Sequence, residues 1–340
     1  MGKALPKCPP NLLAIDFFRN SHGISKDVYS ENVQEIYLVD EDYDPKRALT
    51  SPPVWTSFQA GNGLEVAMSY DIPDEHEEQI AKDTLERYSG SSVEHFQPHL
   101  LLTNFPQYVH HFAESRALPL IEGSMFKVAH SPNEGVSILD FKIGSPAAAL
   151  VVDLCAFLPI KSTLLLGMCG GLRRHYQVGD YFVPIASIRG EGTSDFYFPP
   201  EVPALANFLV QKVVTNVLEG LGALYHVGIT HTTNKRFWEF NKEFKAKLEA
   251  TRPQAIEMEC ATLFMAGYKH KLPLGALLLV SDLPFNPTGI KTKKSSEWVF
   301  NNYMVSHVET GIKVLQALDE ALKGQPRGIF RGSRRRFEGM

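Results

Sequence analysis

Three short segments carry side chains whose type and setting could do chemistry. The first ends in Asp282, at the close of the most hydrophobic stretch of the chain, Leu274-Gly275-Ala276-Leu277-Leu278-Leu279-Val280-Ser281. A carboxyl desolvated in this way has a raised pKa, stays protonated near neutral pH and can donate a proton to a leaving group. By position alone, an aspartate capping a strand-to-loop turn is the commoner case. The second segment, Ala255-Ile256-Glu257-Met258-Glu259-Cys260-Ala261-Thr262, sets two carboxylates in apolar surroundings. Glu259 falls on or beside the buried face of the helix expected after Cys260. A buried carboxylate needs partners, here either the hydroxyls of a ligand or a nearby lysine. The third, Leu166-Gly167-Met168-Cys169-Gly170-Gly171-Leu172, reads as a glycine-rich turn after a buried strand, where open α/β sheets bind ligands and glycine exposes backbone N–H groups. It has neither the lysine of a triphosphate-binding loop nor the spacing of a dinucleotide fingerprint, and taken alone it serves equally well as a structural turn.

Strands alternating with helices must position these groups, which predicts an α/β fold with a mixed central sheet flanked by helices. Strands are expected at His99 to Thr103, Gly135 to Phe141, Ser162 to Leu166, Tyr181 to Ile185 and Leu274 to Val280. Helices are expected from Pro106 to Ser115, from Ser145 to Leu158 with Pro146 in its first turn, and from Glu297 to Leu322. A short surface helix over residues 77–88 leads into this domain, which is expected at residues 79–322. Residues 1–78 differ: prolines at 6, 9, 10, 45, 52, 53 and 73 and the acidic run Asp40-Glu41-Asp42-Tyr43-Asp44 mark an N-terminal extension of no evident role, with one strand expected from Leu64 to Tyr70. Residues 323–340, with Arg327, Arg331, Arg334, Arg335 and Arg336, read as a solvated basic tail.

The bulk numbers narrow the function classes. With 44% hydrophobic and 21% charged residues, the 340-residue chain can bury a large core. A formal net charge of -4 gives no overall attraction to nucleic acid or to acidic membranes, so any anion site must be local. Cys8, Cys155, Cys169 and Cys260 form no CxxC pair and read as free thiols, and no His/Cys spacing suits a metal. No cofactor is implied. No apolar run reaches the roughly 18 residues needed to span a bilayer, and the first residues lack a signal peptide's apolar core; a cytoplasmic location is expected. Gly2 does not complete a myristoylation motif, because Pro6 stands where Ser or Thr is wanted.

Taken in order, the three segments resemble the superfamily of purine nucleoside phosphorylases and nucleosidases. Its members carry a glycine-rich turn, a Met-Glu pair that holds the ribose, and a Ser-Asp pair whose acid protonates the purine at N7. Gly167 to Gly171, including Gly170 and Gly171 as backbone contacts, Met258-Glu259 and Ser281-Asp282 match these, and a base-stacking phenylalanine of the superfamily aligns with Phe237. Within the superfamily the chain is most similar to AMP nucleosidases, in their short bacterial form. The segments that carry this are Leu101-Leu102-Thr103-Asn104-Phe105, residues 188–194 with 197–205, Thr232-Thr233-Asn234-Lys235-Arg236 with Trp238-Glu239, and residues 275–282. The resemblance covers residues 79 to 320.

It implies hydrolysis of the N-glycosidic bond of AMP to adenine and ribose 5-phosphate, with Asp282 as general acid. The four positions that hold inorganic phosphate in hexameric purine phosphorylases align with Asn104, Tyr108, Leu165 and Met168. Burying a phosphate dianion without charge-assisted donors costs several kcal/mol, which disfavours phosphorolysis and leaves water as nucleophile. The nucleotide's own 5′-phosphate still needs donors, and Arg189, Thr193, Ser194, Thr233 and Arg236 are the candidates. Lys235, Lys291 and Lys294 could equally form a solvated face, and Glu191 is a candidate for orienting water. Two other readings compete: a nucleosidase for adenosine or methylthioadenosine, which would differ only in the 5′ pocket, and a non-enzymatic nucleoside-binding protein. The resemblance also implies a homo-oligomer, most simply a hexamer, with no nucleic-acid or membrane partner.

Overall fold

The computed structural model describes residues 75–286 and 288–323, with the backbone of three strands before them. Those strands, β1 (Tyr37–Leu38), β2 (Trp55–Ala60) and β3 (Leu64–Met68), form an antiparallel sheet in that order. The rest of the expected extension and the arginine tail lie outside the described residues. Among the described residues no helix is long and apolar enough to cross a membrane.

Glu75 opens a separate compact unit. It begins with α1 (Glu75–Ser89), β4 (His99–Thr103), α2 (Pro106–Ser115), the two-residue β5 (Ile121–Glu122), β6 (Lys127–Ser131), β7 (Val136–Asp140) and α3 (Ser145–Cys155). Then follow β8 (Ser162–Gly171), β9 (Tyr181–Gly190), β10 (Ala204–Leu205), α4 (Phe208–Gly220), β11 (Tyr225–Thr233), α5 (Lys242–Thr251), β12 (Ala255–Glu257), α6 (Cys260–Lys269), β13 (Leu274–Asp282) and α7 (Lys293–Lys323).

Local chemistry explains the boundaries. Pro106 begins α2, where its missing N–H costs nothing. Asn207 caps α4 by accepting from the N–H groups of Leu209 and Val210, and Asn241 caps α5 through the N–H of Phe244. Gly144, at φ 99, takes the left-handed turn before α3 that a side chain would resist.

The period-2 alternation of the strands sorts the core into two layers. On β13, Leu274, Ala276, Leu278 and Val280 join one cluster with α1, α3 and α6; Leu277 and Leu279 join another with α2, α4 and α7. Both faces of the sheet are covered, which is why β4, β8 and β13 read as unbroken apolar runs.

The ten strands form one mixed sheet with the path β10-β9-β11-β12-β8-β4-β7-β6-β5, and β13 pairs with both β8 and β9. The strands β8, β13, β9, β11 and β12 therefore close on themselves as a small barrel. The first half of β8 lies between β4 and β13, with Thr163 opposite Leu100 and Leu274. Its last residues leave β4 and pair instead with β12, Gly170 opposite Ile256 and Gly171 opposite Ala255.

This corrects one expectation. Residues 167–171 are not a turn but the second half of a ten-residue strand, buried throughout. The glycines serve the change of partner: a Cβ on Gly170 would lie 2.8 Å from Pro284 and 3.2 Å from Ile256, and one on Gly171 would lie 3.0 Å from Leu283 and from Val280. Strand β9 also runs five residues past the expected Ile185, to Gly190.

Candidate active site

Where β8 parts from β4, the carboxyl ends of several strands border a cleft open to solvent. Asn104 and Phe105 follow β4, Met168 to Gly170 lie near the end of β8, Thr233 ends β11, and Lys235, Arg236, Trp238 and Glu239 follow it. Ile256 to Glu259 come from β12, Ser281 and Asp282 from β13, and Lys291 from the loop before α7. Glu239, Glu257, Glu259 and Asp282 give this cleft four carboxyl groups.

Asp282 owes its aim to a bulge. The pairing of β13 with β8 slips between Val280 and Asp282, so Val280 faces Cys169 and Asp282 faces the next residue, Gly170, with Ser281 as the extra residue. The Ser281 hydroxyl donates to Asp282 Oδ1 at 2.7 Å. Burial raises the Asp282 pKa above the usual carboxylate range, opposed by the Ser281 hydrogen bond and the charges of Lys291 and Arg236. Lys291 Nζ lies 3.2 Å from Ser281 Oγ and 3.5 Å from Met168 Sδ, and its own pKa is lowered by burial. A carboxyl whose pKa is raised by burial thus feels the charge of a half-buried lysine.

Glu259 opens α6. Its Oε1 accepts the N–H of Gly144 at 2.7 Å, and the Asn104 side chain also donates to it. Burial, reinforced by the charge of Glu257, raises its pKa to about 7. Glu257 is the anchor beneath it: Oε2 accepts the N–H groups of Glu259 and Cys260, both at 2.6 Å, while Oε1 accepts the Thr232 hydroxyl. Thr232 in turn accepts the N–H of Ala261 at 2.8 Å, which ties β11 to the start of α6. The Met258 carbonyl accepts the Ser145 hydroxyl at 2.7 Å. Because these bonds use the backbone of residues 258–260, the Glu259 carboxylate is held by rigid elements rather than by a loop.

A family model described as the phosphorylase superfamily matches residues 93–309, a span that contains every group just described. The chain belongs to the phosphorylase superfamily. An AMP nucleosidase of Escherichia coli strain K12 is 28% identical over 279 residues, 69% of this chain and 57% of that protein. The chain therefore spans a little over half the length of that curated relative. Among solved structures, an AMP nucleosidase from Bacteroides thetaiotaomicron superposes with a TM-score of 0.64 at 35% identity, covering 72% of this chain and 99% of that one. A uridine phosphorylase from Vibrio fischeri superposes with a TM-score of 0.61 at 19% identity, covering 70% and 98%, which speaks for the fold alone. The resemblance read from the sequence is found again in these comparisons.

The superfamily fold brings Gly170, Thr233, Arg236, Met258, Glu259 and Asp282 to one cleft. It does not bring Gly171, Phe237, Arg189, Thr193 or Ser194 there. Phe237 is 75% exposed and stands beside Phe240, while its neighbour Trp238, 4% exposed, takes the cleft-lining place. Arg189 is fully engaged elsewhere. It donates to Ser194 Oγ, to the carbonyls of Phe198, Pro199 and Val202, and to Asp195 Oδ1, pinning the loop after β9. Glu191 likewise accepts the Ser194 N–H and the Thr262 hydroxyl, away from the cleft.

Of the four aligned phosphate positions, Leu165 and Tyr108 are core residues, the Tyr108 hydroxyl bonded to His307 Nδ1 at 2.9 Å, and Asn104 and Met168 line the cleft without bringing a charge. Sequence reasoning missed Trp238 and Glu239 and left Lys291 undecided. The first two stood in a segment that carries the resemblance but had been given no role there, and nothing marked Lys291.

Proposed function

We propose that this chain cleaves the N-glycosidic bond of AMP by hydrolysis, releasing adenine and ribose 5-phosphate. The reading is carried by Asp282, a half-buried carboxyl with a raised pKa in the same cleft as Met258 and Glu259. As the bond from carbon 1′ to the purine stretches, the sugar becomes oxocarbenium-like and the base gains negative charge. The Asp282 proton, delivered to N7, neutralises that charge more strongly in the transition state than in the ground state. Glu259 takes the ribose hydroxyls, with Met258 packed against the sugar. Trp238 and Phe105 supply aromatic surface for the base. Thr233, Lys235 and Arg236 stand together at the cleft and are the donors for the 5′-phosphate.

Water, rather than phosphate, is the nucleophile in this reading, because Leu165 and Tyr108 are buried in the core and Met168 offers no charge-assisted donor. Exposed apolar side chains on neighbouring elements, Ile185, Leu205, Phe208 and Val227, support a homo-oligomer. The deciding experiment separates the products formed from AMP with and without added inorganic phosphate. Ribose 5-phosphate is expected in both; ribose 1,5-bisphosphate appearing with phosphate would replace hydrolysis by phosphorolysis, and no adenine release from AMP would end the AMP reading.

A further inference from the structure

The reaction just described leaves the carboxylate of Glu239 unused. Glu239 follows Trp238 in the cleft wall and is only 5% exposed. Its Oε2 is buried and has no hydrogen-bond partner among the described residues. Its Oε1 lies 3.6 Å from Arg236 Nη1, beyond hydrogen-bond length, and the Arg236 side chain is 60% exposed. A desolvated carboxylate oxygen without a donor is unfavourable, and a donor brought by a ligand would satisfy it. The last torsion of a glutamate side chain is soft, so a small rotation presents either oxygen to the cleft.

Glu239 borders the end of the cleft that holds the acid, since the Asp282 carboxyl responds to the charges of both Arg236 and Glu239. A purine whose N7 meets Asp282 presents its 6-substituent on the same edge. In adenine that substituent is an amino donor; in hypoxanthine and guanine it is an oxo acceptor. An ionised carboxylate only accepts.

We propose that Glu239 reads the 6-substituent of the purine, accepting an N–H from a 6-amino group and excluding a 6-oxo group by facing it with a second acceptor. The assignment rests on the AMP reading and makes Glu239 the residue that restricts the site to 6-aminopurines. Sites built around one buried polar partner discriminate far more sharply than apolar pockets do.

The test compares kcat/KM for AMP and for inosine 5′-monophosphate in the wild-type enzyme and in Glu239→Gln, whose amide can offer either an acceptor or a donor. The wild type is expected to prefer AMP by at least about 10³-fold, and Glu239→Gln to shrink that ratio by roughly 100-fold or more, mainly by a gain on the 6-oxo substrate. A wild type that uses both substrates alike overturns the proposal. So does a variant that loses activity on both with the ratio unchanged, because Glu239 would then only steady Arg236. If the wild type releases no base from AMP, the AMP reading fails, and calorimetry with free adenine and free hypoxanthine decides the question for Glu239 alone. Preference for adenine that Glu239→Gln abolishes upholds it; equal affinity for the two bases refutes it.

Discussion

Strands β9 and β11 lie side by side and parallel, Arg189 opposite Thr232 and Gly190 opposite Thr233, and each runs into a loop rich in cationic and hydroxyl side chains. In sequence the two loops look alike as anion sites. In the structure they differ completely. The guanidinium of Arg189 is 7% exposed, with every nitrogen bonded to its own loop, whereas Arg236 is 60% exposed beside the cleft with a single long contact. The contrast shows that an arginine's charge says little about its role until its donors are counted. An arginine with all its donors occupied by its own loop is a structural fastener, and one with free donors is a ligand in waiting.

Three substitutions sharpen or break this contrast. The largest effect belongs to the cleft that only the second loop lines: Asp282→Asn should lower kcat for adenine release by about 10²–10⁴-fold with little change in KM, measured by chromatography of the released base. Turnover near wild type would remove Asp282 as the acid.

Next comes the fastener. Arg189→Ala should leave three carbonyls and Asp195 without their donor and destabilise the protein by on the order of 3 kcal/mol, a fall in Tm of about 6–12 °C. The AMP-to-adenosine preference of the surviving enzyme should not move; if it collapses while Tm holds, Arg189 is a phosphate ligand after all.

The smallest effect is the converse. Arg236→Ala should raise KM for AMP roughly 10-fold, as expected for a partly solvated charge-assisted hydrogen bond, while leaving adenosine kinetics and Tm nearly unchanged. Equal losses on both substrates would mean that Arg236 serves the base or the acid rather than the 5′-phosphate.

Much of the frame was legible because apolar period and capping chemistry are local. Pro106 and Ser115 bound α2 as expected, Cys260 begins α6, and β4 runs from His99 to Thr103. Glu259 and Asp282 were legible as well, since a carboxylate inside an apolar run demands a reason. What was not legible depends on contacts distant in the chain. Glycines at 167, 170 and 171 look like a turn until Leu278 is packed against the first, Pro284 and Ile256 against the second and Leu283 against the third. Phe237 and Trp238 are adjacent aromatics on a loop, and nothing local decides which one faces the cleft. Lys291 comes near Ser281 only because the loop before α7 folds back over the strand end.

The bulge at Ser281 makes the orientation of the acid a matter of counting. In a strand, each residue added or removed turns all that follow to the opposite face. The single extra residue between Val280 and Asp282 determines which side of the barrel receives the carboxyl. A chain that lost one residue there could keep every other side chain of the cleft, and its fold, and still point the carboxyl into the wrong layer. Insertions and deletions of one residue near position 281 are therefore the changes least compatible with this site, more damaging than most exchanges of one side chain for another.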